Sequence, residues 1–536
     1  MNSDVLYQPY VSKRNPVFAK KGMVATSHPL AAEAGKEMLM KGGSAVDAAI
    51  ATAVALTVVE PTSNSMGGDS FALVWIDGRL HGLNASGKSP GKMSIEAVKE
   101  AGYKEIPEHG LIPVTVPGVP GSWAELSEKF GRLPFKEVLA PAISLAEEGF
   151  PVSPVVSKYW KRSYELFKEV LTGEEFSNWF DTFSLSGKCP EAGEIWKAPD
   201  HAETLRKIGD SNGDAFYKGE LADQIDSYSR KHGGFIRKED LEDFTPEWVE
   251  PISISYKGFD VWEIPPNGQG LNTLLALNIL EDMNLSQKET VDTYHLLIEA
   301  MKLGFADGLH YITDPREMSV RVKDLLSKEY AKDRRKKISD KAMIPEAGEP
   351  PKGGTVYIAA ADNEGNMVSF IQSSYMDFGS GIVVPGTGIN LQNRGHGFSM
   401  HKGHVNALSP RKKTYHTIIP GFLTKENQPV GPFGVMGAFM QPQGHLQVLT
   451  STINFHLNPQ AALDAPRWRW LEEKTIEVEP HFPDHIAQSL ERKGHQIKKA
   501  VDETGFGRGQ VIWRDSATGV LIGGTDSRAD GHIAVW

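Results

Sequence analysis

Two hydroxyl residues, Thr355 and Ser373, are brought within reach of each other by the pattern of the chain around them. Thr355–Ala361 and Met367–Ser373 are strand-like runs on either side of Asp362-Asn363-Glu364-Gly365-Asn366, which reads as a hairpin with a loop of about four residues. If Asp362 faces Met367, the same register sets Thr355 opposite Ser374 and beside Ser373. The chemistry open to such a pair is nucleophilic attack by a hydroxyl. On its own, however, a threonine that opens a strand after two glycines is an ordinary strand residue.

Other reactive patterns are weaker. Gly82-Leu83-Asn84-Ala85-Ser86-Gly87-Lys88-Ser89 fits the phosphate-binding pattern GxxxxGK[ST], which needs a helix starting at the lysine. Pro90-Gly91 follow at once and oppose that helix, so the match reads as coincidence. His396, His401 and His404 share a glycine-rich loop without a carboxylate or cysteine among them, and read as a polar loop lining a pocket rather than as metal ligands. The HExxH pattern is absent, removing a common signature of zinc peptidases. Cys189 is the only cysteine, which excludes an internal disulfide.

The elements that must position these residues are those of a packed globular chain. Of the 536 residues 40% are hydrophobic and 23% charged. The formal charge of −11, with no long basic block, argues against nucleic acid as a partner. The run Arg334–Lys337 reads as the solvated end of a helix. The polar start of the chain lacks an apolar core of signal-peptide length, and Ala45–Val59 is too short to span a bilayer, so a cytoplasmic protein without a membrane partner is expected.

Met23–Thr26 is a predicted strand, and Pro29 suits the first turn of a helix over Leu30–Lys41. Ser44 and Asp47 form a capping-box pattern for a second, uniformly apolar helix. Phe71–Ile76 is a further strand. The stretch Gly121–Lys337 is mainly helical, as in Phe135–Glu148 and Val291–Asp307, with a β-like interruption at Ile252–Ile264. Pro345–Gly354 can hold neither helix nor strand and is expected to be exposed.

The chain resembles the γ-glutamyltransferase family, also called γ-glutamyltranspeptidase or glutathione hydrolase, and most of all its cephalosporin-acylase-like branch. The resemblance rests on Lys41-Gly42-Gly43-Ser44-Ala45-Val46-Asp47, Met66-Gly67-Gly68-Asp69-Ser70-Phe71, Pro265-Pro266-Asn267-Gly268, Phe378-Gly379-Ser380-Gly381, Asp464-Ala465-Pro466-Arg467 and Thr525-Asp526-Ser527-Arg528, with Gly354-Thr355 at its centre. It implies an N-terminal-nucleophile hydrolase fold of mixed α and β structure, a four-layer αββα sandwich. It also implies self-cleavage: Thr355 Oγ attacks the Gly354 carbonyl, and water opens the ester. Fragments 1–354 and 355–536 would remain one globular unit.

The freed α-amine, with a pKa near about 8, could then serve as base to its own hydroxyl. Ser373 matches the family position that supports the nucleophile, and Gly437 with Ala438 matches the glycine pair whose N–H groups hold the oxyanion. Neither metal nor organic cofactor is implied. The small-molecule partner would be an amide, and higher oligomers stay open.

The family's substrate-gripping residues are where the sequence departs. The arginine that takes the substrate α-carboxylate falls at Ser86, with Lys88 nearby; the aspartate that takes the ammonium falls at Gly397. A neighbouring glutamine position holds Arg394, and a serine pair becomes His416-Thr417; Tyr375 and Asn393 complete the expected pocket. The short stretch Phe398–Lys413 implies that the lid of many members is missing. One negative group is lost and one positive group gained, so acyl groups bearing a carboxylate but no α-amine, glutaryl-like, are expected. The alternatives are intact γ-glutamyl specificity, with Arg394 turned away, and an uncleaved relative that only binds amino-acid derivatives.

Overall fold

The computed structural model describes residues 9–10, 14–285, 287–345 and 354–536. The run Pro345–Gly354 therefore lies, over 346–353, outside the described residues. Fourteen strands build two seven-stranded sheets. In chain order they are β1 (Val17–Ala19), β2 (Met23–Thr26), β3 (Asp69–Ile76), β4 (Arg79–Ala85), β5 (Glu247–Val249), β6 (Ile252–Tyr256) and β7 (Phe259–Glu263), then β8 (Gly354–Ala361), β9 (Met367–Tyr375), β10 (Gly421–Lys425), β11 (Gln428–Met436), β12 (Arg508–Arg514), β13 (Leu521–Thr525) and β14 (His532–Val535). One sheet runs β14-β2-β8-β9-β3-β4-β5 and the other β1-β13-β12-β11-β10-β7-β6. Segments on both sides of Thr355 supply strands to both sheets.

Period-two alternation explains how β8 is held, because successive side chains point to opposite faces. Tyr357, Ala359 and Ala361 join Leu73, Ile371 and Ile512 in the core between the sheets. Val356, Ile358 and Ala360 join Ala72, Val74, Val368 and Phe370 in the core outside. Helix α1 (Pro29–Met40) and the fully buried α2 (Ala45–Val59) cover that outer face. Helices α3 (Gly270–Leu280) and α4 (Met440–Ile453) cover the other sheet. The result is helix, sheet, sheet, helix, the four layers expected. Among the described residues no helix is long and apolar enough to cross a membrane.

The capping box of α2 forms as read: Ser44 Oγ accepts from Val46 and Asp47, and Asp47 accepts from Ser44 N–H. Such a cap stabilises by about 1 kcal/mol. The Ala45 N–H also donates to Asp362 Oδ2 (2.9 Å), which ties the helix to the loop of the β8–β9 hairpin. Phe135–Glu148 is helical over the predicted residues, the long helix runs Val291–Tyr311, and Ile252–Ile264 is the β6–β7 hairpin.

Two expectations need correction. Ala361 rather than Asp362 faces Met367, and Val356 faces Gln372. Asp362 leaves the strand because its carboxylate accepts from Glu364 and Asn366 N–H as well as from Ala45. The displaced residue is recovered by a bulge between Gly354 and Val356, so Gly354 faces Tyr375 and Thr355 is not set opposite Ser374. The basic run is not wholly solvated either. Arg334 turns inward to an ion pair with Asp307 (3.0 Å), and Arg335 Nε donates to the Ile279 carbonyl.

Candidate active site

Thr355 sits at the bulged start of β8, 1% exposed in the uncut chain. Its Oγ1 donates to Ser373 Oγ (3.2 Å), so the bulge brings together the two hydroxyls that regular pairing was expected to place side by side. Ser373 Oγ accepts a second hydrogen bond from the Tyr375 N–H (2.8 Å). On its other side Thr355 Oγ1 accepts from Gln441 Nε2 (3.4 Å), while Gln441 Oε1 takes the Ile419 N–H (2.9 Å). The hydroxyl is thereby aimed from both sides. Gln441 escaped the sequence reading; its signal was only its place three residues beyond Ala438, in the first turn of α4.

Gly437 and Ala438 link β11 to α4, with φ of +128° and +52°. Ala438 is left-handed and Phe439 right-handed (φ −71°), and adjacent residues of opposite hand are the backbone pattern of an anion nest. For alanine the left-handed region costs about 1 kcal/mol, so something must hold it there. Gln269, the residue before α3, does so: its Nε2 donates to the carbonyls of Ala438 (2.7 Å) and Thr417 (2.5 Å). Tyr415 Oη donates to Gln269 Oε1 and fixes the amide's orientation. One side chain thus locks the candidate oxyanion pair to the candidate substrate wall.

That wall carries Arg394. Its guanidinium is 1% exposed, lies 4.0 Å from the Tyr375 ring centroid, and donates through Nη1 to Thr417 Oγ1 (2.8 Å). Among the described residues Nε and Nη2 have no hydrogen-bond partner. Burial pushes its pKa down to about 10, opposed by Tyr375 and Asp69, so it stays cationic at neutral pH. Tyr375, at φ +81°, is itself buried, and Asn393 holds the turn before Arg394 by donating to the Glu108 carbonyl and accepting the Met376 N–H. Arg394 therefore points inward.

His416 Nε2 and Asp69 Oδ2 form a buried pair (2.9 Å). Burial, with help from Arg394, pushes the imidazole down to about 4, so His416 is neutral over the physiological range. Asp69 also accepts from Gly87 N–H and Gln392 Nε2, and stands across from Ser373 in the β3–β9 pair. It was visible in the sequence only as part of a motif.

The remaining expected pocket residues are not gathered here. Ser86 is buried, bonded to Asn84 and Asn267, at the edge of the crevice that Lys88 lines. Lys88 lines a separate crevice of about 370 Å3 with Lys413 and lies 3.9 Å from Glu247. His396 is bonded to the Ile106 carbonyl, His404 accepts the Asn406 N–H, and the three loop histidines do not converge. Among the described residues only His295, Glu299 and His495 have metal-ligand spacing. There Lys302 Nζ sits 2.7 Å from Glu299 Oε1, and the imidazoles face each other at 2.8 Å. These groups instead hold Ser339 and Met343 by their backbones.

The chain matches the profile of the family described as gamma-glutamyltranspeptidase over residues 31–536. It is 37% identical to the glutathione hydrolase-like YwrD proenzyme of Bacillus subtilis, over 96% of this chain and 98% of that protein. To the acylase ACY 1 proenzyme of Pseudomonas sp. strain SE83 it is 32% identical, over 98% of each. The crystal structure of cephalosporin acylase from Bacillus halodurans is 61% identical and superposes with a TM-score of 0.96 over 99% of both chains.

Proposed function

We propose that this chain, which belongs to the gamma-glutamyltranspeptidase family, reads the acyl half of its substrate by a carboxylate. It is a self-processing N-terminal-nucleophile amidohydrolase or acyltransferase, like its proenzyme relatives. In this reading Thr355 cuts the Gly354–Thr355 bond, and the two resulting fragments stay associated through the sheets to which both contribute. The freed amine accepts the Thr355 hydroxyl proton as Oγ attacks an amide carbonyl. The proton passes to the leaving nitrogen, the C–N bond breaks, and water later releases the acyl group from the ester.

The observation that carries the substrate class is Arg394. A buried cation with two nitrogens still lacking protein acceptors is costly unless an anion reaches it. It is joined through Thr417 and Gln269 to Ala438, and through Tyr375 to Ser373. Gly397, where an ammonium acceptor would sit, offers no carboxylate. A glutaryl-like acyl group meets both conditions, which also agrees with the acylase names of the relatives. The second reading, γ-glutamyl specificity, has Glu108 in its favour: this half-buried carboxyl acts on Tyr375 and is raised in pKa by burial. Comparing kcat/KM for glutaryl- and γ-glutamyl-p-nitroanilide separates the two. Preference for glutaryl is expected; a strong preference for γ-glutamyl overturns the reading.

A further inference from the structure

Beside Gly437 and Ala438 the surface folds into a cleft of about 460 Å3. Its walls touch the surroundings of the nucleophile on two sides. Ser63, whose carbonyl accepts the Ser374 N–H, and Met376 form one side; Met440, which precedes Gln441, forms the other. An amide has two arms, and in the reading above the acyl arm is taken by the buried wall of Arg394. The amine is the first product to leave, so its arm needs a route to solvent while the acyl group is still on Thr355. This cleft, along the candidate oxyanion pair, supplies that route.

Its lining is rich in arginine, but most of these cations are already neutralised. Arg469 pairs with Glu477, Arg508 with Glu60, and Arg528 with Glu479 and Asp526. Arg162 differs. It lies exposed on the helix Pro154–Val170 and makes no hydrogen bond or ion pair among the described residues. The acids that line the same cleft, Asp377, Glu472 and Glu503, make no ion pair with it among the described residues. One turn before Arg162, Tyr159 offers its ring to the same cleft, with the Arg508 guanidinium 4.9 Å from the ring centroid. An exposed guanidinium next to an aromatic face suits a planar amine that carries an anionic group.

We infer that Tyr159 and Arg162 form a leaving-group subsite that selects amines bearing a carboxylate. The inference rests on the acylase reading and concerns the opposite arm of the substrate. Its test holds the acyl group constant and varies the amine: the p-nitroanilide against the 3-carboxy-4-nitroanilide, with glutaryl and γ-glutamyl acyl groups, in the mature enzyme. Wild type is expected to favour the carboxylated amine. Arg162→Gln should lower kcat/KM about tenfold for that amine and leave the plain anilide within about twofold, with Arg162→Lys restoring part of the loss.

An equal effect on both amines, no effect on either, or an effect that follows the acyl group overturns the subsite. Turnover of none of the four substrates by wild type is a different failure: it sinks the acylase reading and this inference with it.

Discussion

The β8–β9 hairpin that carries Thr355 and the wall that carries Arg394 are built by different means. In the hairpin, backbone pairing and two alternating apolar faces fix each residue, so any one side chain contributes little to the position of the next. The wall is irregular: a short turn at Arg394–Gly397, left-handed Tyr375 and Ala438, and single side-chain amides that bridge separate loops. The backbone of a nucleophile held by a sheet is set by strand pairing, with only its hydroxyl aimed by Ser373 and Gln441, whereas specificity held by isolated amides and one guanidinium can change with one substitution. The same nucleophile can thus serve different acyl groups.

Four substitutions probe that contrast, in order of expected effect. Thr355→Ala should leave the fold intact and remove processing and turnover together: one full-length band on denaturing electrophoresis, and activity down at least about a thousandfold. A variant that matures normally would show that the hairpin does not carry the chemistry. Arg394→Gln keeps a donor to Thr417 but removes the charge. It should cost glutaryl turnover about 2 kcal/mol in kcat/KM, roughly thirtyfold, and γ-glutamyl turnover less; equal losses would mean that Arg394 is only structural.

Gly397→Asp is the constructive counterpart. A Cβ there meets nothing nearer than Thr414 Oγ1 at 3.4 Å, so the backbone accepts a side chain at this position. It should raise the γ-glutamyl to glutaryl ratio about tenfold through an added charge-assisted bond. An unchanged ratio would separate this position from the substrate ammonium. The smallest effect belongs to Ala438→Gly. Glycine relaxes the left-handed backbone, and stability in urea should rise by about 1 kcal/mol with turnover retained. Loss of stability would show that the alanine methyl packs more than it strains.

The same division decides what could be read in advance. The hairpin, α2 with its cap, and the helices at Phe135–Glu148 and Val291–Tyr311 were legible because periodicity and caps are local properties. Even there the register was displaced by one residue, since Asp362 bonds to the N-terminus of a distant helix and the bulge leaves no mark in composition. Ser373 was found, while Gln441, Gln269 and Asp69 were not assigned roles. Their contacts join segments far apart in the chain, and an amide in sequence does not announce which carbonyl it will hold. Lys88 shows the converse error: with its sequence neighbour Ser86 it lines a crevice that does not include Thr355, because the chain after β4 turns it toward Glu247.

All of this depends on an acyl group becoming covalently attached to Thr355. Intact-mass analysis of the mature protein, mixed with a glutaryl amide and quenched in acid within one turnover, reads that directly. The account predicts two polypeptides, the smaller beginning at Thr355 and heavier by one glutaryl group. A single uncut chain, or an acyl adduct confined to the fragment before Thr355, would contradict it.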